Sequence, residues 1–309
     1  MNSNLSALLT SARKDFHVRL LKDQVLSLSQ ANAKVRSFGE DVIASNADSG
    51  QKTSVQVSNL LINKIESGCG VRASIIEKKK DGQTLGNLFE ESCSNFIRET
   101  FSRLQHLRPG SWTVEKVASR SNSVLGQYDQ YSHLTQLAIL SEAHTELKSF
   151  LGDGYTVAPD VIVARNPESD QIINMNEYVV DSNSCRHSVL REANQIDQGK
   201  QLLHASISCK FTMRSDRAQN TRTEALNLIR MRKGRAPHIV SVTAEPMPGR
   251  ISSLALGTGD LDCVYHFALY ELIASLRELE KDDSLDLLQS MIDGKRLKDI
   301  SDLPLDLAI

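Results

Sequence analysis

The chain has 309 residues, 40% of them hydrophobic and 24% charged, with a formal net charge of −2. That length buries a full core as one large domain with elaborations, and no apolar run approaches the ~20 residues a membrane helix requires. Met1 to Lys14 carry neither the apolar stretch nor the small-residue cleavage site of a secretory signal, so a cytoplasmic protein without a membrane partner is expected.

Residues 1 to 60 read as an irregular N-terminal arm with helical pieces, ending in the polar stretch Ser45-Asn46-Ala47-Asp48-Ser49-Gly50, an exposed turn by composition. After Lys78-Lys79-Lys80 and the turn Asp81-Gly82, the residues Leu85, Leu88, Phe89, Phe96, Ile97, Phe101 and Leu104 recur at helical spacing. That spacing predicts a long amphipathic helix carrying Glu90. Between Tyr155 and Arg165, Pro159-Asp160 leads into Val161-Ile162-Val163-Ala164, a run suited to a buried strand, with proline confined to its lead-in or to an edge.

From His204 to Met213 polar and apolar residues alternate, which predicts a strand with one polar face bearing Ser206, Ser208 and Lys210. Ser215 or Asp216 is a candidate N-cap for a helix from about Arg217 to Lys233, stopped by Gly234 and Pro237. His238 to Thr243 is another strand. Val264, Phe267, Ala268, Glu271, Leu272 and Leu276 then predict a well-buried helix. Strand and helix alternating through the centre indicate an α/β layered core, without internal repeats.

Cys69, Cys93, Cys185, Cys209 and Cys263 are odd in number and widely spaced, which fits reduced, mostly buried thiols better than a disulfide framework or a structural zinc. Net charge alone argues against a nucleic-acid partner, but its distribution does not. Lys210 to Arg235 holds eight Lys/Arg against two acids, whereas Tyr270 to Ile309 holds ten acids against five bases. A basic run is a solvated helix face in its plainest reading, or an electrostatic footprint for phosphate.

Pro159-Asp160, Lys210 on a strand and Glu224 on the following helix together resemble a variant of the PD-(D/E)xK nuclease core. Ser208 stands where the generic motif places a second carboxylate. Set beside Phe16-His17, Ser45-Asn46-Ala47-Asp48, Gly82-Gln83-Thr84, Phe89-Glu90, Ser206-Ile207-Ser208-Cys209-Lys210, Arg214-Ser215-Asp216-Arg217-Ala218-Gln219-Asn220, Asp262-Cys263-Val264-Tyr265-His266-Phe267 and Gly294-Lys295-Arg296-Leu297-Lys298-Asp299-Ile300, this segment resembles the NgoMIV restriction endonucleases. The likeness covers almost the whole chain and is weakest in the N-terminal arm and from Asn166 to Gln201.

The resemblance implies a restriction-endonuclease-like PD-(D/E)xK core, a central mixed β-sheet flanked by helices. It lies in a single domain with an arm (1–60), a catalytic and recognition core (80–245) and a C-terminal helical elaboration (246–309). In that family the missing carboxylate comes from the next helix, the place Glu224 occupies. The resemblance assigns metal binding to Asp160, Glu90, Glu224 and the Cys209 carbonyl, with Mg²⁺ as cofactor, two ions per active site. Lys210 then orients or activates the attacking water. Arg214, Asp216 and Arg217 read the CCGG core, and Asp48, Gln83 and Arg250 read the flanking G·C pair. Ser208 joins the DNA-contacting group as a residue that bonds within the site.

The activity implied is that of a type II enzyme of a restriction-modification system, cutting double-stranded DNA at GCCGGC after the first G. Its expected partners are a homotetramer holding two duplexes and a cognate DNA methyltransferase, with the C-terminal helix and acidic region as candidate contacts. Two other readings use the same residues: a catalytically silent DNA-binding protein, and a repair or junction nuclease of similar core.

Overall fold

The computed structural model describes residues 6–77, 79–117, 122–143, 159–195, 199–257 and 259–309. The N-terminal part is more regular than its sequence suggests. Helix α1 (Leu8–Lys22) buries Phe16, His17, Leu20 and Leu21. The short strands β1 (Leu28–Gln30) and β2 (Val42–Ala44) follow. Helix α2 (Lys52–Cys69) buries Val55, Ile62, Ile65 and Cys69 on one face and ends at Gly70, whose φ of 75° lies in the left-handed region that favours glycine. Strand β3 (Ile75–Ile76) completes a three-stranded sheet in the order β2-β1-β3. The Ser45–Gly50 segment is a turn, but Ser45 and Asn46 are buried, and the Asn46 amide donates to the Ala244 carbonyl at 2.9 Å.

Arg13 anchors this part to the C-terminal region. Its guanidinium donates to both oxygens of Asp299 at 2.8 and 2.9 Å and also pairs with Glu271.

Asp81 caps α3 (Gly82–Phe101) by accepting from the N–H groups of Gln83 and Thr84. The helix buries Leu85, Phe89, Phe96 and Ile97. After it come β4 (Trp112–Lys116), α4 (His133–Ala143), β5 (Val161–Arg165) and β6 (Leu202–Lys210). Residues 155–158, the front of one expected strand, lie outside those described; the strand begins at Val161. Helix α5 (Ser215–Met231) starts two residues earlier than expected, with Arg214 at the N-cap and no side chain capping it.

The remaining elements are β7 (His238–Thr243), α6 (Pro248–Ala255), β8 (Cys263–His266), α7 (Leu269–Glu278), α8 (Asp282–Asp293) and β9 (Leu297–Asp299). The expected helix beginning near Val264 is in fact β8 followed by α7. Cys263 to His266 pair in parallel with β7 on one side and β9 on the other, and a strand buried on both faces is as uniformly apolar as a helix interior.

The main sheet runs β4-β5-β6-β7-β8-β9, antiparallel over its first two pairings and parallel over the rest. The C-terminal ends of β4, β6, β7 and β8 therefore meet the N-terminal end of β5 along one edge. The polar face of β6 is covered: His204, Ser206 and Ser208 are all buried. Cys69, Cys93, Cys209 and Cys263 are buried free thiols, and Cys185 is exposed. No helix among the described residues is long and apolar enough to cross a membrane.

Candidate active site

Asp160 immediately precedes β5 and is held from both sides. Its N–H donates to the Ile207 carbonyl at 3.2 Å, while its own carbonyl accepts from the Val117 N–H at 3.0 Å. Only 6% of the residue is exposed, so its carboxylate needs compensating donors. Oδ2 receives them: the Cys209 N–H at 2.7 Å, Lys210 Nζ at 2.9 Å and, at the outer limit, Ser208 Oγ at 3.5 Å. Among the described residues these bonds all end on Oδ2, so Oδ1 is the oxygen open to a cation.

Burial pulls the Lys210 ammonium toward the neutral form, but Asp160, with Glu224 adding, outweighs it and holds the pKa above its ordinary value. Lys210 is therefore a cation at neutral pH. The Cys209 thiol is raised well above the usual range by its hydrogen bond with Cys93 and by burial. It stays protonated, which leaves the Cys209 backbone as that residue's hard donor.

Asp160, Cys209 and Lys210 form one wall of a cleft of about 1180 Å³. Helix α3 contributes Gln83, Asn87 and Glu90, and helix α5 contributes Asp216, Arg217, Asn220 and Glu224. Both sets follow helical spacing, the positions that share a face of a helix. Arg217 is steadied by bonds from Nη1 to the carbonyl and hydroxyl of Thr212, each 3.1 Å. Lys116, at the end of β4, stands 3.9 Å from Glu90 and 3.7 Å from Glu91.

Of the expected readers, Asp48, Ser208, Arg214 and Arg250 lie outside this lining. Arg250, on α6, forms an ion pair with Asp48 and stands 3.8 Å from Glu245. Asp48 is held below the usual carboxylate range by that bond, by the Gly50 N–H and by the charge of Arg214. Arg214 itself is exposed at the head of α5. Ser208 is buried, with its hydroxyl toward Asp160.

The profile of the NgoMIV restriction enzyme family matches residues 16–309. The chain belongs to that family. It is 48% identical over 305 residues to the type II restriction enzyme NgoMIV of Neisseria gonorrhoeae, covering 99% of this chain and 100% of that one. The match accounts for the mixed sheet flanked by helices, and restriction endonucleases as a class act on DNA with a divalent metal.

The donors present suit such an ion. Asp160, Glu90, Glu224 and the Cys209 backbone bring hard oxygen donors to one cleft from a strand lead-in, two helices and a strand end. Among the described residues no three His, Cys, Asp or Glu side chains converge closely enough to hold a metal by themselves. A Mg²⁺ ion makes no such demand, since it keeps several waters and takes one or two carboxylates together with substrate phosphate.

Sequence reasoning passed over Lys116 and Glu245. Lys116 ends an edge strand without a distinctive pattern. Glu245 follows β7, the strand next to the one that carries Lys210, and a carboxylate at the carboxyl end of a parallel strand was the available signal.

Proposed function

We propose that this member of the family, a type II site-specific deoxyribonuclease, hydrolyses double-stranded DNA within GCCGGC after the first G, leaving a 5′ CCGG overhang. The observation that carries the proposal is the sharing of one cleft by the Asp160–Lys210 pair, Glu224 and Glu90 with Asp216 and Arg217. Chemistry and base reading are thus a helix face apart.

In this mechanism Asp160, Glu90, Glu224 and the Cys209 carbonyl would hold Mg²⁺, two ions per site, and the metal would supply positive charge to offset that developing on the scissile phosphate and activation of the attacking water. Lys210, being charged, orients the attacking water and offsets negative charge; it does not remove the proton. Arg217 and Arg214 present guanidinium forks to guanine O6 and N7, and Asp216 accepts from cytosine N4. Asp48, Gln83 and Arg250 read the outer G·C pair. Ser208 supports Asp160.

A palindrome calls for a two-fold reader, and we assign the chain to a homotetramer holding two duplexes. The segment after β5 supports this assembly, because Ile172, Met175, Tyr178 and Val179 are 52–78% exposed. By contrast, α7 spends Leu272 and Leu276 inside its own chain. One hydrophobic cluster from Phe16 to Leu307 supports reading the chain as a single folding unit, working alongside a methyltransferase that protects host sites.

The test is a plasmid digest with Mg²⁺ and mapping of the ends. Cuts one base into GCCGGC, lost in Lys210→Ala, are expected. CCGG ends with other flanks would remove the outer-reader assignment, and no cutting at all would sink the proposal.

A further inference from the structure

Glu245 follows β7 and is 1% exposed, yet it does not line the catalytic cleft. Its side chain binds two chain segments. Oε2 accepts from the Met213 N–H at 2.8 Å, and Oε1 accepts from the Met247 N–H at 3.2 Å. Met213 directly precedes Arg214, and Met247 is the N-cap of α6, which carries Arg250. Arg250 Nη1 lies 3.8 Å from Glu245 Oε2, and the same guanidinium pairs with Asp48. The neighbouring Ala244 carbonyl accepts from Asn46, two residues before Asp48. Three segments far apart in sequence, each holding an assigned base reader, thus end at Glu245 or beside it.

We propose that Glu245 is a specificity-determining positioning residue, which locks the inner reader segment from Arg214 to Arg217 in register with the outer readers Arg250 and Asp48. The inference rests on the proposed roles of those readers. A carboxylate suits the task because each oxygen accepts from a different loop while its charge faces Arg250. Glutamine offers one acceptor oxygen and one amide that donates, so it leaves a buried backbone N–H without a partner.

The groups facing Glu245 are Arg250 from α6, Asp48 from the N-terminal turn and His266 from β8. His266 Nε2 lies 3.2 Å from the Glu245 carbonyl, and burial holds its pKa near 4, so this ring is neutral. Burial pushes the Glu245 carboxyl up to about 7, against the Met213 N–H, the Arg250 charge and the Met247 N–H, while Asp48 adds to the rise. Above that pH both oxygens accept. Below it one oxygen carries a proton and the attraction to Arg250 is lost, so the lock loosens as pH falls through about 7.

The experiment compares kcat/KM for the sequence the enzyme itself cuts fastest, taken from mapped ends, with single-pair variants altered in the outer or the inner pairs. Using the mapped site means that a wrong target assignment changes the oligonucleotides and not the comparison. In wild type the preference over the outer-pair variant should fall as pH drops from 8 to 6. Glu245→Gln should show an outer-pair preference about tenfold weaker and independent of pH, with cutting of the mapped site largely retained. A wild-type preference that is flat across this range overturns the proposal whether or not the variant folds. So does a Glu245→Gln enzyme that loses activity equally on all three substrates.

Discussion

Lys210 Nζ lies 2.9 Å from Asp160 Oδ2, and the Cys209 N–H reaches the same oxygen at 2.7 Å. The pair forms because β5 and β6 are antiparallel, so the start of one strand meets the end of the other. On the proposed roles, replacing Lys210 by alanine removes a charge beside the reacting phosphate, and Asp160→Asn removes a hard metal donor. Each should lower single-turnover cleavage by at least about a hundredfold, with DNA binding retained in a gel-shift assay. Loss of binding and cleavage together would count against the assigned division of labour.

The pH dependence of Lys210 has a definite sign. Its folded-state pKa is raised, so the stabilisation from its pairing with Asp160 is fully present below the unfolded-state value, about 10.4, and is lost only as pH rises through the still higher folded value. Between pH 7 and 9, single-turnover rates should show no fall attributable to Lys210. A decline in that range that disappears in Lys210→Arg would contradict this.

In the proposed site Glu224 stands in for a carboxylate at the Ser208 position, from the helix that also carries Arg217. In Glu224→Gln the Mg²⁺ concentration for half-maximal cleavage should rise about tenfold or more, with partial recovery at high Mg²⁺. Titration of cleavage rate against metal measures this. An unchanged midpoint would remove Glu224 from the metal site.

Arg217→Ala and Arg250→Ala should differ in kind. The first should cost about 1–3 kcal/mol of discrimination at an inner G·C pair, the second a similar amount at the outer pair only. Competition cleavage of oligonucleotides altered at one pair distinguishes them. The same loss at both pairs in either variant would mean that the two arginines position DNA instead of reading it.

Tyr178 is 78% exposed in the segment proposed for subunit contact. Tyr178→Glu should lower the mass measured by light scattering from tetramer toward dimer. A tetramer unaffected by charge at Tyr178 would place the interface elsewhere.

Much of the framework under the proposed site was legible because its cues are local. Lys210 lies on a strand whose alternation is clean, Glu90 on a helix announced by Asp81, and β7 has the bounds its sequence suggests. Strand β8 was misread, since four residues buried between parallel neighbours carry no period of two. The N-terminal sheet was missed because its strands have two or three residues each and depend on one another for pairing. Glu245 was missed for a different reason: its importance lies in which backbone groups it reaches, and those lie about thirty residues upstream or across the α6 N-terminus.

The stripe of α5 that faces the cleft has a geometric consequence. Arg217 and Glu224 are separated by seven residues, about 10 Å of rigid helix. With the roles proposed for these two residues, the helix is a ruler between the base that is read and the phosphate that is cut. Inserting or deleting one residue between them would turn one end by about 100° and carry it off the cleft, so the cutting offset cannot drift one base at a time. Only a change near a whole turn keeps both ends facing DNA, which makes the position of the cut relative to the recognised sequence a built-in dimension of the fold.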